Sequence, residues 1–223
     1  MADLEQLVRS LTQPSAPPLV PELVLLQAES VFDVWSKVEA ALCKQVEPPF
    51  WAFGWPGGQA LARHLLDAPE KVRGKRVLDF GSGSGLCGIA AAKSGGGVTA
   101  VELDPLALTA TSLNAALNGV ALEVRVANVV GTDEGWDVVL AGDVFYERAP
   151  SGAIATWLRG LAGRGATVLV GDPGRAFLPT GLVELQRYHV RTSVDWEGVA
   201  ERTPQVLTMS QPSPGKRERV AAG

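Results

Sequence analysis

Apolar residues change their spacing along the chain, and the spacing predicts the elements. Residues 2–11 repeat at helical intervals and predict a short helix, which QPSAPP ends. ELVLLQ at 22–27 reads as a short strand, and SVFDVWSKVEAALCK at 30–44 as an amphipathic helix. EPPFWAFGWPGG, at 47–58, is a loop dense in aromatics, proline and glycine; helical spacing returns over 59–69. The alternation then becomes regular. Strands are predicted at 76–80, 98–102, 123–127, 137–143 and 166–172, with helices at 86–95, 105–118 and 151–162. Short, almost wholly apolar strands alternating with helices predict an α/β fold, a doubly wound and mostly parallel sheet covered on both faces. The last stretches, 182–196 and 205–210, read as two longer strands with little helix between them. They predict an antiparallel hairpin at one sheet edge. There is no internal repeat.

Composition narrows the class. The 223 residues suffice for one α/β domain with an appendage. The division expected is an N-terminal extension at 1–50, a main domain at 51–212 and a basic tail at 213–223. A net charge of −4 points to neither nucleic acid nor an anionic membrane as partner. No apolar run approaches the roughly 20 residues that span a bilayer. The N-terminus carries acids and lacks a signal-peptide core. The only cysteines, Cys43 and Cys87, lie far apart, which suits a reducing compartment, and the cytoplasm is the expected location. They give no zinc spacing, and with only two histidines no metal is expected.

VLDFGSGSGLCGIAAAKSGGGVTAVELD, from Val77 to Asp104, carries the chemistry. Gly81, Gly83 and Gly85 follow a strand and open a helix. Without Cβ atoms their backbone lets a ligand come close, and the free N–H groups of the helix start favour an anion. The spacing is D-x-G-x-G-x-G, not the dinucleotide fingerprint G-x-G-x-x-G, since Leu86 stands at the sixth position. Glu102 ends the next strand and can accept two hydrogen bonds from a ribose diol. A ligand with a ribose across the second strand and a small anion at the glycine turn fits both.

These residues resemble class I S-adenosylmethionine-dependent methyltransferases. LDFGSGSG looks like their first motif, which implies cofactor contacts from Asp79, Gly81, Ser82, Gly83 and Gly85, and Glu102 looks like their ribose-binding acid. The resemblance implies a Rossmann-like, seven-stranded sheet whose last strand is antiparallel. It places Asn128 against the adenine, where many members have Asp; Asn128 alone also reads as a turn residue. PPFWAFGWPGGQALARHLL, AGDVFYE (141–147) and VLVGDPGR (168–175) are similar to the seven-strand protein-lysine methyltransferases, most of all the branch acting on the electron-transfer-flavoprotein β-subunit. The acidic-x-x-aromatic signature of that branch maps onto Asp143-Val144-Phe145-Tyr146. The resemblance implies a protein substrate, S-adenosylhomocysteine as product and an enzyme acting as a monomer.

Asp143, at a strand end, could orient a lysine amine, and Tyr146 could wall its channel. Helix capping by Asp143 and plain packing by Tyr146 are the bland alternatives. The indole face of Trp55 would suit a sulfonium cation if it lay over the cofactor; Trp51 reads as packing or a substrate contact. Asp172 and Arg175 either meet the substrate or form an Asp-Pro turn. Other readings are a ribosomal-protein or small-molecule methyltransferase of the same fold, and a non-catalytic cofactor-binding module.

Overall fold

A computed structural model describes residues 3–209, so the basic tail and the end of the expected main domain lie outside the described residues. Helix α1 (Leu4–Leu11) is capped by Asp3, whose carboxylate accepts the Glu5 and Gln6 N–H groups. Strands β1 (Gln13–Ser15) and β2 (Leu25–Gln27) pair antiparallel, and α2 (Val31–Leu42) follows. The segment that QPSAPP occupies therefore includes a short edge strand where only a break was expected.

The main layer opens with α3 (Pro56–Asp67). Its first residues fall inside the expected loop. Proline at the first helical position loses no internal hydrogen bond, so it starts this helix instead of breaking it. Strand β3 (Arg76–Phe80), helix α4 (Leu86–Lys93), strand β4 (Gly97–Glu102) and helix α5 (Pro105–Leu117) come next. After them run β5 (Glu123–Val126), β6 (Val138–Gly142), α6 (Arg148–Gly163) and β7 (Thr167–Asp172). The end of the chain holds β8 (Leu182–Arg187), β9 (Val190–Arg191), α7 (Val194–Glu197), β10 (Glu201–Arg202) and β11 (Gln205–Met209).

Seven strands form one sheet in the order β5-β4-β3-β6-β7-β11-β8. The first five are mutually parallel, and β11 runs antiparallel between β7 and β8. The strands alternate, sending neighbouring side chains to opposite cores. Val77, Val138, Leu140 and Leu169 join the α3–α4 side, whereas Leu78, Val139, Val168 and Val170 join the α6 side. The expected long strand at 182–196 is corrected here. It stops at Arg187, and residues 190–202 leave the sheet as a β9–β10 ribbon carrying α7. The antiparallel partners are thus joined by an excursion, not a tight hairpin. Among the described residues no helix is long and apolar enough to cross a membrane.

Candidate active site

The carboxyl ends of β3 and β4 build the first half of the site. Gly81, Gly83 and Gly85 all have positive φ, 63°, 51° and 80°, which side-chain-bearing residues rarely adopt. Helix α5 holds the loop they form. Thr111 Oγ1 donates to the Gly83 carbonyl at 3.0 Å, and Asn114 Nδ2 to the Ser84 carbonyl at 2.8 Å. Ser82 is buried, with its hydroxyl 3.3 Å from that of Thr111. A Cβ on Gly85 would press on Thr111, but one on Gly83 would meet nothing nearer than 3.9 Å. The crest of the loop is open while its base is clamped.

Asp79 is buried and directs Oδ2 at the Gly88 N–H of α4, 2.8 Å away. Burial, with a smaller push from the Glu102 charge, raises its pKa to about 7. Its hydrogen bond fastens the strand end to the helix start. Glu102 Oε2 accepts the Gly83 N–H at 3.2 Å and Oε1 the Leu103 N–H at 2.7 Å. Burial raises its pKa against these two bonds. Each carboxylate oxygen keeps a further lone pair for a hydroxyl. The chain leaves β5 beside Glu102, where the Ala127 N–H donates to the Glu102 carbonyl. Asn128 follows, exposed, and its Oδ1 accepts the Val130 N–H at 3.1 Å in a local turn.

The second half lies at the ends of β6 and β7. Asp143 has φ 55°, a left-handed conformation unusual for a residue with a side chain. Three contacts hold it there. Its N–H donates to the Gly171 carbonyl at 2.8 Å, its Oδ2 accepts the Gly58 N–H of α3 at 2.7 Å, and its Oδ1 pairs with Arg175 Nη2 at 2.8 Å. The capping alternative is thus realised on α3, a helix far away in sequence. Burial outweighs the Arg175 guanidinium, and the Asp143 pKa rises to about 6. Tyr146 is 48% exposed and meets Phe50 edge-on, ring centroids 5.2 Å apart, so it is not core packing. With Pro173, Gly174, Arg175, Ala176 and Arg202 it lines a cavity of about 220 Å³.

Asp172 makes the expected Asp-Pro turn, with Oδ1 accepting the Gly174 and Arg175 N–H groups, both at 2.7 Å. Its Oδ2 is buried without a partner, and burial raises its pKa. Arg175 reaches back to Asp143 and lies 5.5 Å from the Trp55 ring centroid. The cation at Trp55 is therefore an arginine of this chain. Trp55 also donates Nε1 to the Phe50 carbonyl and packs edge-on against Trp196 at 5.3 Å. Trp51 is buried in the core between the N-terminal helices and α5.

Three further contributors carry no signal in the sequence. Glu197, Trp196 and Arg202 come from the excursion between β8 and β11. Glu197 is buried and bonds both Arg175 and Arg202, at 3.0 and 2.8 Å. Thr111 and Asn114 were equally silent, since their partners are backbone atoms distant in sequence.

Residues 55–144 match the family described as ribosomal protein L11 methyltransferase (PrmA). The electron transfer flavoprotein beta subunit lysine methyltransferase of Xenopus laevis is 40% identical over 74% of this chain and 68% of its own length. The chain belongs to the electron transfer flavoprotein beta subunit lysine methyltransferase family. The human member is 44% identical over 57% of this chain and 50% of its own. The chain thus spans between half and about two thirds of the vertebrate relatives it matches. The ribosomal protein L11 methyltransferase of Deinococcus radiodurans is also similar, 33% identical over 83% of this chain and 67% of its own length. Among solved structures, a candidate RNA methyltransferase from Pyrococcus horikoshii superposes with a TM-score of 0.52 at 18% identity, covering 79% of this chain and 97% of its own. That likeness supports the Rossmann-like methyltransferase fold.

The cradle fits the cofactor such a family uses. The crest at Gly83 leaves the space a Cβ would fill, and Glu102 stands against it. Trp51 adds a buried Nε1 with no partner, and its Cα is the nearest atom to the Gly83 crest.

Proposed function

We propose that this protein methylates lysine side chains of the electron-transfer-flavoprotein β-subunit, with S-adenosylmethionine as donor. The observation that carries the reading is the junction of two halves at the carboxyl ends of neighbouring strands. The Gly81–Gly85 loop with Glu102 adjoins the Asp143–Tyr146 signature, in a chain 40% identical to a relative with that name. Ligands bind at the carboxyl ends of strands in such sheets.

The cofactor would supply a methyl group on a sulfonium. Glu102 would hold the ribose diol, the loop amides the anionic end, and Asn128 the adenine edge. Asp79 and Ser82 keep the loop in shape. The amine must be neutral to attack, and a free lysine has a pKa of about 10.4. Tyr146 and Phe50 flank the approach and disfavour the ammonium by excluding water. Asp143 Oδ1 accepts a hydrogen bond from the amine and aims its lone pair along the line of displacement. The methyl group would pass to the amine in line with its sulfur, and the proton the methylated amine sheds would leave to water. Trp55 braces Arg175 beside this path. Cys43 and Cys87 are both free thiols, which supports a reducing, cytoplasmic setting.

The experiment offers the purified protein, with labelled cofactor, recombinant flavoprotein β-subunit and maps modified peptides. Label on lysines of the β-subunit supports the reading; no label overturns it. The PrmA match over 55–144 favours ribosomal protein L11 as the second reading, so that protein belongs in the same assay.

A further inference from the structure

Two guanidinium groups share the cavity beside Tyr146, and each keeps donors in reserve. Arg175 directs Nε and Nη2 at Asp143 Oδ1, at 3.3 and 2.8 Å, and Nη2 also meets Glu197 Oε1 at 3.0 Å. Arg202 directs Nε at Glu197 Oε2 and Nη2 at the Glu197 carbonyl, at 2.8 and 2.9 Å. Among the described residues Nη1 of neither arginine has a partner, and neither has the Tyr146 hydroxyl. All three residues line the cavity of about 220 Å³. We infer that this cavity is a substrate subsite for a carboxylate, the side chain of an aspartate or glutamate that the substrate carries near its target lysine; the inference rests on the proposed lysine methylation.

The lining selects the ligand. A guanidinium donates and never accepts, and its planar fork matches a carboxylate. The acids that balance the two arginines are the more deeply buried partners. The side chains of Asp143 and Glu197 are 7% and 1% exposed, against 21% and 35% for Arg175 and Arg202. Asp172 is buried too, with Oδ1 turned to the Gly174 and Arg175 N–H groups. Each ion pair thus presents its cationic side to solvent. A third cation stands close by, for Arg148 lies 5.8 Å from the ring centroid of Phe177, the residue after Ala176 of the cavity. Burial, with smaller pushes from Glu147, Glu102 and Glu47, raises the Tyr146 pKa, so the phenol keeps its proton and remains a donor. Position selects the source of the carboxylate. Neighbouring strands run in the order β4-β3-β6-β7. Glu102 and the glycine loop stand at the ends of β4 and β3, Asp143 follows β6, and Arg175 follows β7. The cavity therefore lies beyond Asp143 from the half that would hold the cofactor. Tyr146 walls both the lysine approach and the cavity, so the residues beside an entering lysine pass over it.

Two experiments test it. In the first, isotopically labelled protein is titrated with blocked aspartate, N-acetylated and carrying a carboxamide end, and with blocked asparagine, while NMR follows the arginine side chains. Blocked aspartate alone is expected to shift the Arg175 and Arg202 signals, and Arg202→Met to weaken its binding by about tenfold. Equal responses to both compounds, or none to either, would overturn the inference. In the second, each Asp and Glu of recombinant flavoprotein β-subunit near the labelled lysine is changed to its amide. One such change is expected to raise KM about tenfold with kcat within about twofold. Arg202→Met raises KM by as much, and the two changes together raise it no further, which a merely structural Arg202 would not give. If Arg202→Met does not fold, Arg202→Lys takes its place, since it keeps a charge for Glu197 and loses the fork. The inference fails if no amide variant raises KM, or if the two effects multiply. Wild-type protein that labels no lysine overturns the methylation reading instead, and the titration with blocked aspartate still decides the cavity.

Discussion

Glu102 accepts two backbone N–H groups, and one of them, from Gly83, belongs to the loop that would meet the cofactor. Its carboxylate is thus set in place before any ligand arrives. Glu102→Ala is expected to weaken S-adenosylmethionine binding by about tenfold or more, since hydrogen bonds to charged groups are worth about 1.5–3 kcal/mol; calorimetry on the folded variant checks it, and unchanged affinity would remove the ribose assignment. Asp79 makes a prediction about pH. Its pKa is about 7 in the folded chain, against 3.8 as the ordinary value. The folded state therefore holds its proton more tightly than the unfolded one. The stability it contributes is full below the ordinary value and is lost as pH rises through about 7. Asp79→Asn keeps an acceptor for Gly88 but has no proton to lose. Its melting temperature should gain on that of the wild type between pH 4 and pH 8, and parallel curves would refute the shift. Such residues differ in how far the sequence reveals them. Three glycines and an acid at a strand end announce themselves by type and spacing. The bent backbone of Asp143 does not, because the Gly58 and Gly171 groups that impose it come from two other elements.

Helix α3 comes nearest to β7 where Gly57 faces Gly171. A Cβ on Gly57 would overlap the Gly171 carbonyl, and one on Gly171 would overlap that of Gly57. Both obstacles are backbone, so neither can swing aside. This contact sets the Gly58 N–H against Asp143. Gly171→Ala should push the helix off the sheet, cost about 1–3 kcal/mol by overpacking, and lower methyl transfer through Asp143. Gly152, on α6, has open space where its Cβ would stand. Gly152→Ala should be neutral or gain up to about 1 kcal/mol. Thermal denaturation of the pair checks both, and equal melting points would sink the account. The parallel strands were legible because each short apolar run serves two cores. The start of α3 was not, since Pro56, Gly57 and Gly58 break helices in most settings and here begin one. The excursion after β8 escaped for a related reason. Val190, Val194 and Trp196 are spaced loosely enough to pass for a continuing strand, while the bond that turns the chain away joins Thr192 to Ala200.

Across the whole molecule the N-terminal segment acts as a buttress. Val8, Leu26, Val34 and Val38 share a core with Leu106, Ala107, Ala110 and Leu113 of α5. Two asparagines secure that contact. Asn114 Oδ1 accepts the Leu26 N–H at 2.8 Å, and Asn118 Oδ1 the Val24 N–H at 3.0 Å. Asn114 alone also reaches forward, donating Nδ2 to the Ser84 carbonyl in the glycine loop. Removing each asparagine should therefore have different consequences. Asn114→Ala leaves a buried N–H and a buried carbonyl without partners, at about 1–3 kcal/mol each. It also frees the loop on which Glu102 leans, so cofactor affinity should fall several-fold with no contact to the cofactor lost. Asn118→Ala cuts the ties to Val24 and to the Asn114 carbonyl, none of which reaches the glycine loop, and should cost stability while leaving affinity within about twofold of the wild type, as expected when the loop's own bonds persist. The two readouts are linked, because a ligand that binds only the folded chain adds about 2.7 kcal/mol at a hundred times its Kd. At one fixed cofactor concentration, the rise in melting temperature should then be smaller for Asn114→Ala than for Asn118→Ala. If the two variants gain equally from the cofactor, the N-terminal segment supports the fold without supporting the site.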